Sequence, residues 1–283
     1  MRLLQLCFWL LAFPAWAQAE PVVLEMRPRI SASAEYLSGQ RDKPAVLLLH
    51  GFLQTREFST ISIHARGLND AGYTVLSPSL SLGIPGRKQS LACEAVHRHG
   101  LDDDVAEIAR WVDWLKARGH TRIVLLGHSF GSLQLLAYLD GKPDAAVKAF
   151  VGASLIEAQI GTTNRTALIT RLDSQQQRRQ RSLIRQQLSF CKNYLSTPDA
   201  LLSYVRWDQP RILKALRASP VPVKLIMGNA DALLGRNWLQ ALEHIQIPMA
   251  VVLDANHFMD GQHEFDLLEH VLAFLTQFQA PSR

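Results

Sequence analysis

The sequence lacks several short motifs that identify common enzyme classes. It has no G-x-x-x-x-G-K-[ST] phosphate loop and no G-x-G-x-x-G fingerprint, so we expect no nucleotide cofactor, and nothing indicates another cofactor. The segment HEFDLLEH (263–270) is not H-E-x-x-H, which removes the zinc-protease signal. His97 and His99 lie close together in VHRHG, but no third ligand has a metal-binding spacing. We therefore expect no metal site and interpret the pair as surface or pocket-rim histidines.

Charge of either sign is also limited. Charged residues make up 19% of the chain, and the formal net charge is +5, from 30 basic and 25 acidic side chains. Such mild basicity favours solubility and does not indicate a nucleic-acid partner. Internal repeats, long low-complexity tracts and an interdomain linker are absent as well. With 283 residues, 48% of them hydrophobic, the chain is long enough to bury a sizeable core, and we expect one α/β domain with an inserted segment.

The N-terminal segment MRLLQLCFWLLAFPAWAQA combines an early Arg2 with an apolar run and two Ala-x-Ala patterns, Ala15–Ala17 and Ala17–Ala19. This combination predicts a cleaved secretory signal over residues 1–19, and hence a periplasmic or secreted protein. The alternative is a transmembrane anchor. It is disfavoured because the apolar run is short for a span and Pro14 follows it directly.

Strand-like and helix-like segments alternate through most of the remaining chain. The predicted strands are VVLEM and ISASAEYL near the N-terminus, AVLLLH (45–50), YTVLSPSL (73–80, breaking at Pro78), RIVLLG (122–127), AVKAFVGASL (146–155), VPVKLIMG (221–228) and PMAVVLD (248–254). The predicted helices cover residues 57–71, 101–118, 131–140, 235–246 and 263–278. This alternation favours an α/β fold with a mostly parallel central sheet flanked by helices. Its core would be formed by residues 20–155 and 219–283.

Residues 156–218 interrupt the alternation. The segment is rich in Gln and Arg, is mostly helical by composition and shows no strand-like run, so we expect a helical insertion between two strands. Most of its arginines would form a solvated face, and the alternative is attraction of anionic substrates or weak contact with an anionic membrane surface. These arginines are Arg165, Arg171, Arg178, Arg179, Arg181 and Arg185.

The segment LLGHSFGS (125–132) places Ser129 between Gly127 and Gly131, directly after an aliphatic run. A strand that turns abruptly into a helix holds its apex residue at strained backbone angles, and the neighbouring residues must lack bulky side chains. The serine then lies at the carboxyl edge of the sheet, where open α/β sheets place their ligands. Because a serine hydroxyl is a poor nucleophile near neutral pH, it needs a base and a group that orients the base.

Two later residues are candidates for those groups. Asp231 follows the strand VKLIMGNA, and His257 follows VVLDAN. Asp231 has an alternative interpretation as a turn residue in its N-A-D cluster. Asp254 and Asp260 flank His257 and compete for the carboxylate role, but we expect Asp254 to end its strand and Asp260 to cap the last helix.

The order Ser129, Asp231, His257, together with the HG of LLLHGF, resembles the α/β-hydrolase superfamily. The resemblance extends from about residue 30 to residue 279, and its specific part is three short motifs. It implies the α/β-hydrolase fold, with His257 as the base that takes the serine proton and Asp231 as its carboxylate partner. It also implies an oxyanion hole formed by the backbone N–H groups of Phe52 and Phe130.

The resemblance further implies that residues 156–218 form a helical lid over the active site. Cys191 lies in this segment, and Cys93 lies in the loop after the SPSL strand, so we hypothesise a disulfide that ties lid to core. Two unrelated buried thiols are the alternative. We interpret His50 as shaping the oxyanion loop and His128 as facing away from the nucleophile, both with structural roles.

These motifs predict an exported serine hydrolase that cleaves a carboxylic ester or thioester of a small molecule through an acyl-enzyme intermediate, as esterases and lipases do. A peptidase or amidase would use the same intermediate. A serine at position 129 argues against the dehalogenase and epoxide-hydrolase branches, which use a carboxylate nucleophile there. The alternative from another class is a catalytically silent α/β-hydrolase-like binding protein, because a fold does not determine a function.

Overall fold

Strands and helices alternate in the computed structural model, which describes residues 19–161, 164–234 and 236–279. The strands are β1 (Glu20–Arg27), β2 (Ile30–Leu37), β3 (Ala45–Leu49), β4 (Thr74–Ser79), β5 (Val96–His97), β6 (Ile123–His128), β7 (Val147–Ala153), β8 (Ile184–Leu188), β9 (Cys191–Ser196), β10 (Val223–Gly228) and β11 (Met249–Val252). The helices are α1 (Ser59–Asp70), α2 (Leu101–Ala117), α3 (Phe130–Asp140), α4 (Arg165–Gln177), α5 (Pro198–Val205), α6 (Gln209–Arg217), α7 (Arg236–Glu243) and α8 (His263–Leu275). Residues 1–18 of the predicted signal segment lie outside the described ranges.

Eight strands form the central sheet, in the order β1-β2-β4-β3-β6-β7-β10-β11. Within this order, the six strands β4, β3, β6, β7, β10 and β11 pair in parallel, whereas β2 pairs antiparallel with both β1 and β4. The prediction of an α/β-hydrolase fold with a mostly parallel sheet flanked by helices is therefore confirmed.

Both faces of the sheet are buried, and successive residues of the central strands point to opposite sides. In β3, Leu47 and Leu49 pack with the cluster that contains α2 and α3, whereas Val46 and Leu48 pack with the cluster that contains α1 and α8. Because neither face meets water, the central strands are continuous aliphatic runs without polar alternation.

Strand β4 does not break at Pro78 as predicted. It continues to Ser79, and Pro78 lies opposite Ala34 of β2. The pairing of β4 with β3 ends at Leu76, so the missing N–H group of Pro78 interrupts no ladder on that side.

The inserted segment, residues 156–218, is called the cap below. It contains helices α4, α5 and α6, but it also contains β8 and β9, so the expectation of no strand was wrong. These two strands form an antiparallel hairpin, and β9 pairs in parallel with β5 from the core. The polar side chains of IRQQL and CKNYLS concealed the strands because these residues alternate only loosely between buried and exposed positions.

A disulfide joins the cap to the core. Cys93 precedes β5, Cys191 begins β9, and their Cα atoms are 5.2 Å apart. Hydrogen bonds reinforce the junction: the Ser196 hydroxyl donates to the His97 carbonyl over 2.8 Å, and the Leu101 N–H donates to the Ser203 hydroxyl over 2.8 Å. The pairing of the two cysteines is the one hypothesised from the sequence.

The interface between cap and core also buries an ionisable side chain, Asp104. Asp104 in the first turn of α2 is 1% exposed, and it accepts hydrogen bonds from the Tyr204 hydroxyl of the cap over 2.5 Å and from the Gln134 amide over 2.7 Å. The pKa of Asp104 is raised to about 8, chiefly by burial and to a smaller extent by the nearby Glu107 and Asp103, although the two hydrogen bonds act in the opposite direction. The Asp104 carboxyl is therefore a buried group that folding favours in its protonated form.

Among the helices of the described ranges, none is long and apolar enough to cross a lipid bilayer.

Candidate active site

Ser129 lies at the turn between β6 and α3. Its backbone has φ 56° and ψ −123°, angles that side-chain-bearing residues rarely adopt. Its N–H donates to the Ala153 carbonyl over 2.8 Å, which fixes the turn to β7. The turn raises the serine out of the strand direction at the carboxyl edge of the sheet, as the sequence predicted.

Gly127 and Gly131 leave the space that this turn requires. A Cβ atom on Gly127 would lie 2.6 Å from the backbone nitrogen of Ser132. A Cβ atom on Gly131 would lie 2.4 Å from the His50 carbonyl oxygen. Both obstacles are backbone atoms, so no side-chain rotation relieves the contact, and these two positions accept glycine only.

Three side chains from three loops meet at this edge. The Ser129 hydroxyl donates to Nε2 of His257 over 2.7 Å, and Nδ1 of His257 donates to Oδ2 of Asp231 over 2.6 Å. All three residues are buried, with exposures of 8%, 5% and 5% respectively. This geometry allows His257 to take a proton from Ser129 while Asp231 holds the imidazole in one tautomer and orientation.

The Asp231 carboxylate has a second contact. Its Oδ1 accepts hydrogen bonds from the N–H groups of Leu233 and Leu234, over 2.9 and 3.3 Å. The turn interpretation and the triad interpretation therefore describe the two oxygens of one side chain. Because the turn bonds fix Oδ1, they also fix where Oδ2 meets His257.

The two competing aspartates lie elsewhere. Asp254 is exposed and lies two residues beyond β11, which ends at Val252 and not at Asp254 as predicted. Asp260 does not cap α8: the residue at the cap position is Gln262, and Asp260 accepts a hydrogen bond from Asn256 over 2.8 Å. The Asp260 carboxylate bonds within its own loop because its partner, the Asn256 amide, is only four residues away.

Of the two residues predicted to form the oxyanion hole, Phe52 lines the same cavity as Ser129, and Phe130 follows Ser129 directly. Phe130 is the first residue of α3, where N–H groups have no partner within the helix and carry partial positive charge. Apart from the hydrogen bonds within helices and between strands, no described backbone carbonyl accepts a hydrogen bond from either N–H group. The loop that holds Phe52 is fixed by Gln54, whose side-chain oxygen accepts from the Gly51 N–H over 3.1 Å. Gln54 was not singled out from the sequence.

His50 supports the same loop and stays neutral. Its Nδ1 donates to the Gly51 carbonyl over 2.8 Å, and its Nε2 accepts from the Leu80 N–H over 3.1 Å. Burial, aided by the buried Arg87 guanidinium, lowers the pKa of His50 to about 3. The neutral ring satisfies both contacts with a single tautomer, in keeping with a structural role. The sequence did not indicate a role for Arg87, because it lies in a loop without a hydrophobic periodicity.

His128 also faces away from the serine hydroxyl. Its Nε2 donates to the backbone carbonyl of His257 over 2.9 Å. Burial, with a smaller contribution from the His257 ring, lowers the pKa of His128 to about 3. This contact positions the loop that carries His257.

His97 and His99 are not surface or pocket-rim residues, which corrects that interpretation. They are 0% and 1% exposed, since β5, which contains His97, pairs with β9 of the cap, and the His99 ring meets Tyr204 of the cap. The His97 ring stacks on Tyr194 of the cap, with centroids 4.1 Å apart. In the described part of the chain, no three His, Cys, Asp or Glu side chains cluster as a metal site would require.

A cavity of about 470 Å³ opens above Ser129 and His257. Its walls are largely apolar and come from both the core and the cap. The remaining lining residues are Phe52, Gln54, Ile156, Ser189, Phe190, Ala230, Ala232, Leu233, Asn256 and Phe258. This volume falls in the range of small-molecule sites.

The cap arginines are mostly solvent-exposed, as expected. Arg178, Arg179, Arg181 and Arg185 are exposed. Arg165 differs, because it is partly buried and donates to the carbonyls of Val205 and Ala158 over 2.7 and 2.8 Å.

Comparisons with known proteins agree with this architecture. A family model described as "Alpha/beta hydrolase family" matches residues 46–268. A search of curated proteins by sequence finds no match.

Many solved structures share the fold at low identity. Est1E from Butyrivibrio proteoclasticus is 18% identical with a TM-score of 0.66, and the match covers 91% of this chain and 98% of that one. GrgF, an alpha/beta hydrolase from Penicillium sp. sh18, is 15% identical with a TM-score of 0.70, covering 93% and 99%. The thioesterase domain from the curacin biosynthetic pathway is 18% identical with a TM-score of 0.59, covering 92% and 99%. At these identities the likeness concerns the fold alone, whereas the family match covers most of the sequence. The chain therefore belongs to the alpha/beta hydrolase family.

Proposed function

We propose that this protein is an exported serine hydrolase that cleaves a small carboxylic ester or thioester through an acyl-enzyme. The observation that carries the proposal is the continuous hydrogen-bond chain from Ser129 through His257 to Asp231. Ser129 and His257 line the apolar cavity together with Phe52, and Phe130 follows Ser129 directly in the chain. Among structures of similar fold, one is a thioesterase domain and others are hydrolases, which is compatible with this class of reaction.

The geometry supports the following steps. His257 Nε2 takes the proton of Ser129 as the oxygen attacks the carbonyl carbon of the substrate. The carbonyl oxygen becomes negative and accepts hydrogen bonds from the N–H groups of Phe52 and Phe130. When the tetrahedral intermediate collapses, the bond to the leaving alcohol or thiol breaks and His257 returns the proton to it. Water, deprotonated by His257, then attacks the acyl-serine and releases the acid.

A fluorophosphonate probe tests the nucleophile. We expect the folded wild-type protein to be labelled once per chain, and Ser129→Ala to lose the label completely. Ser189→Ala is the matched control, because Ser189 lines the same cavity and contacts neither His257 nor Asp231. Absence of labelling in the folded wild type would favour a binding protein. Hydrolysis of p-nitrophenyl esters without hydrolysis of the matching aminoacyl amides would separate an esterase from an amidase.

Export is tested with the complete coding sequence in a Gram-negative host. We expect the protein in the periplasmic fraction, with Glu20 as its first residue, because an Ala-x-Ala pattern ends at Ala19. Recovery of the uncleaved chain from the membrane fraction would support the anchor alternative instead.

A further inference from the structure

Phe190 is a large apolar side chain that the fold leaves 55% exposed. It lies at the tip of the hairpin between β8 and β9, where the cap forms one wall of the cavity above Ser129. Its ring meets the ring of Phe52 edge to face, with centroids 5.5 Å apart. Phe52 packs in turn against Phe130, with centroids 4.7 Å apart. Phe190 therefore contacts Phe52, one of the two residues whose backbone N–H groups form the proposed oxyanion hole.

The hairpin tip is fixed from both sides. Before Phe190, Ser189 has a positive φ of 53° and its N–H donates to the Gln159 carbonyl over 2.8 Å. After Phe190, Cys191 is 0% exposed and bonded to Cys93 of the core. The disulfide therefore attaches the residue next to Phe190 directly to the core.

The cavity lining carries no carboxylate, ammonium or guanidinium group among the described residues. Apart from His257 itself, the polar groups of the walls are neutral: Gln54, Ser129, Ser189 and Asn256. A charged acyl group would lose its hydration there without meeting an opposite charge. An apolar acyl group would bury surface against Phe190, Ile156 and Leu233, at no comparable cost.

We propose that Phe190 is a specificity-determining wall of the acyl site, that it selects uncharged, apolar acyl groups, and that the Cys93–Cys191 disulfide holds this wall in place. The proposal rests on the serine-hydrolase function proposed above. It assigns the disulfide a role in substrate selection, in addition to its role in joining cap and core.

The chain length of the acyl group tests the wall. We expect kcat/KM for p-nitrophenyl esters to rise about fourfold per methylene from acetate to hexanoate in the wild type, because each buried methylene contributes to transition-state binding. In Phe190→Ala the rise should fall to about twofold per methylene, so that the hexanoate-to-acetate ratio drops about sixteenfold. Phe190→Leu should restore most of that ratio. Phe265→Ala is the matched control, because Phe265 is 75% exposed on α8 and does not line this cavity.

The charge preference has its own comparison. The monoester of glutarate and the pentanoate ester have acyl groups with the same number of carbons and differ by one terminal carboxylate. We expect kcat/KM for the glutarate ester to be lower than that for the pentanoate ester by about a hundredfold or more, because the carboxylate would be desolvated without a partner. Values within about tenfold of each other would overturn the charge preference.

Reduction tests the tether. Wild-type protein treated with tris(2-carboxyethyl)phosphine should show the same flattened chain-length profile as Phe190→Ala, while its far-ultraviolet circular dichroism stays unchanged. The Cys93→Ala/Cys191→Ala variant should show that profile with and without reductant. If kcat/KM rises as steeply with acyl chain length in Phe190→Ala as in the wild type, the role of Phe190 as a wall is contradicted. If it rises as steeply after verified reduction, the role of the disulfide in holding the wall is contradicted. Each rate is normalised to sites labelled by the fluorophosphonate probe, so absence of both labelling and hydrolysis contradicts the serine-hydrolase function itself.

Discussion

At the scale of single residues, the candidate site depends on positions where backbone segments approach too closely for a side chain. The N-terminal turn of α3 lies against the carbonyl groups of Leu49 and His50, and Gly131 is the point of contact. The strained backbone of Ser129 persists because this packing leaves the turn no alternative path.

Gly131→Ala should therefore disable the site. The added Cβ would have to displace backbone at 2.4 Å, which moves the first turn of α3 away from the loop of Phe52. We expect a loss of about 1–3 kcal/mol or more in the free energy of unfolding, measured by urea denaturation, and loss of fluorophosphonate labelling. Gly67→Ala within α1 is the control, because its Cβ would meet only the end of the Leu268 side chain, which can move, and no backbone atom. Equal effects of the two substitutions would contradict this account.

Sequence reasoning was most informative where a residue follows a strand. Ser129, Asp231 and His257 each follow a continuous aliphatic run, and parallel strands end at one edge, so their meeting could be anticipated. It was least informative for residues whose surroundings come from a distant part of the chain. Asp104 resembles its neighbours as a charge at a helix N-terminus, and its contacts with the distant residues Gln134 and Tyr204 are not visible in the local sequence.

At the scale of elements, the three-stranded sheet of β5, β9 and β8 explains why the cap was predicted incompletely. Strand β9 pairs with its neighbour β8 and also with β5, whose two residues lie about one hundred positions earlier in the sequence. A local pattern carries no information about such a partner. The helices α4, α5 and α6, by contrast, form from local sequence and were expected.

The disulfide closes a segment with a sequence separation of 98 residues. A loop of this length restricts the unfolded chain, and the chain-entropy account gives an upper bound of about 4.7 kcal/mol. We expect reduction to lower the free energy of unfolding by about 2–4 kcal/mol, because native-state strain usually reduces the gain. Urea denaturation with and without tris(2-carboxyethyl)phosphine measures the change, and the double alanine variant should not respond to the reductant. Identical midpoints for oxidised and reduced wild type would contradict the expectation.

At the scale of the whole molecule, the stability should depend on pH through Asp104. Its pKa is about 8 in the folded protein and near 3.8 when the chain is unfolded. Between these values the folded state holds the proton more tightly, so the free energy of unfolding falls as pH rises. The stabilisation is fully present below about pH 4 and is lost above about pH 8.

Asp104→Asn removes this titration and retains an amide oxygen that accepts from Tyr204. Relative to the variant, the wild type should lose up to about 1.4 kcal/mol per pH unit between pH 5 and pH 7, measured by urea denaturation at each pH. Asp102→Asn is the control, because Asp102 is exposed in the same helical turn. Parallel pH curves for wild type and Asp104→Asn would show that the carboxyl does not titrate in this range.

The partnership of β5 with β9 sets a limit on grafting in this architecture. If residues 156–218 were exchanged for the insertion of another hydrolase, β5 would lose its pairing with β9 and Cys93 would lose its disulfide partner Cys191. A chimaera that is expected to work must therefore carry the Cys93–His97 stretch together with the insertion, as two separate pieces of one transplanted unit.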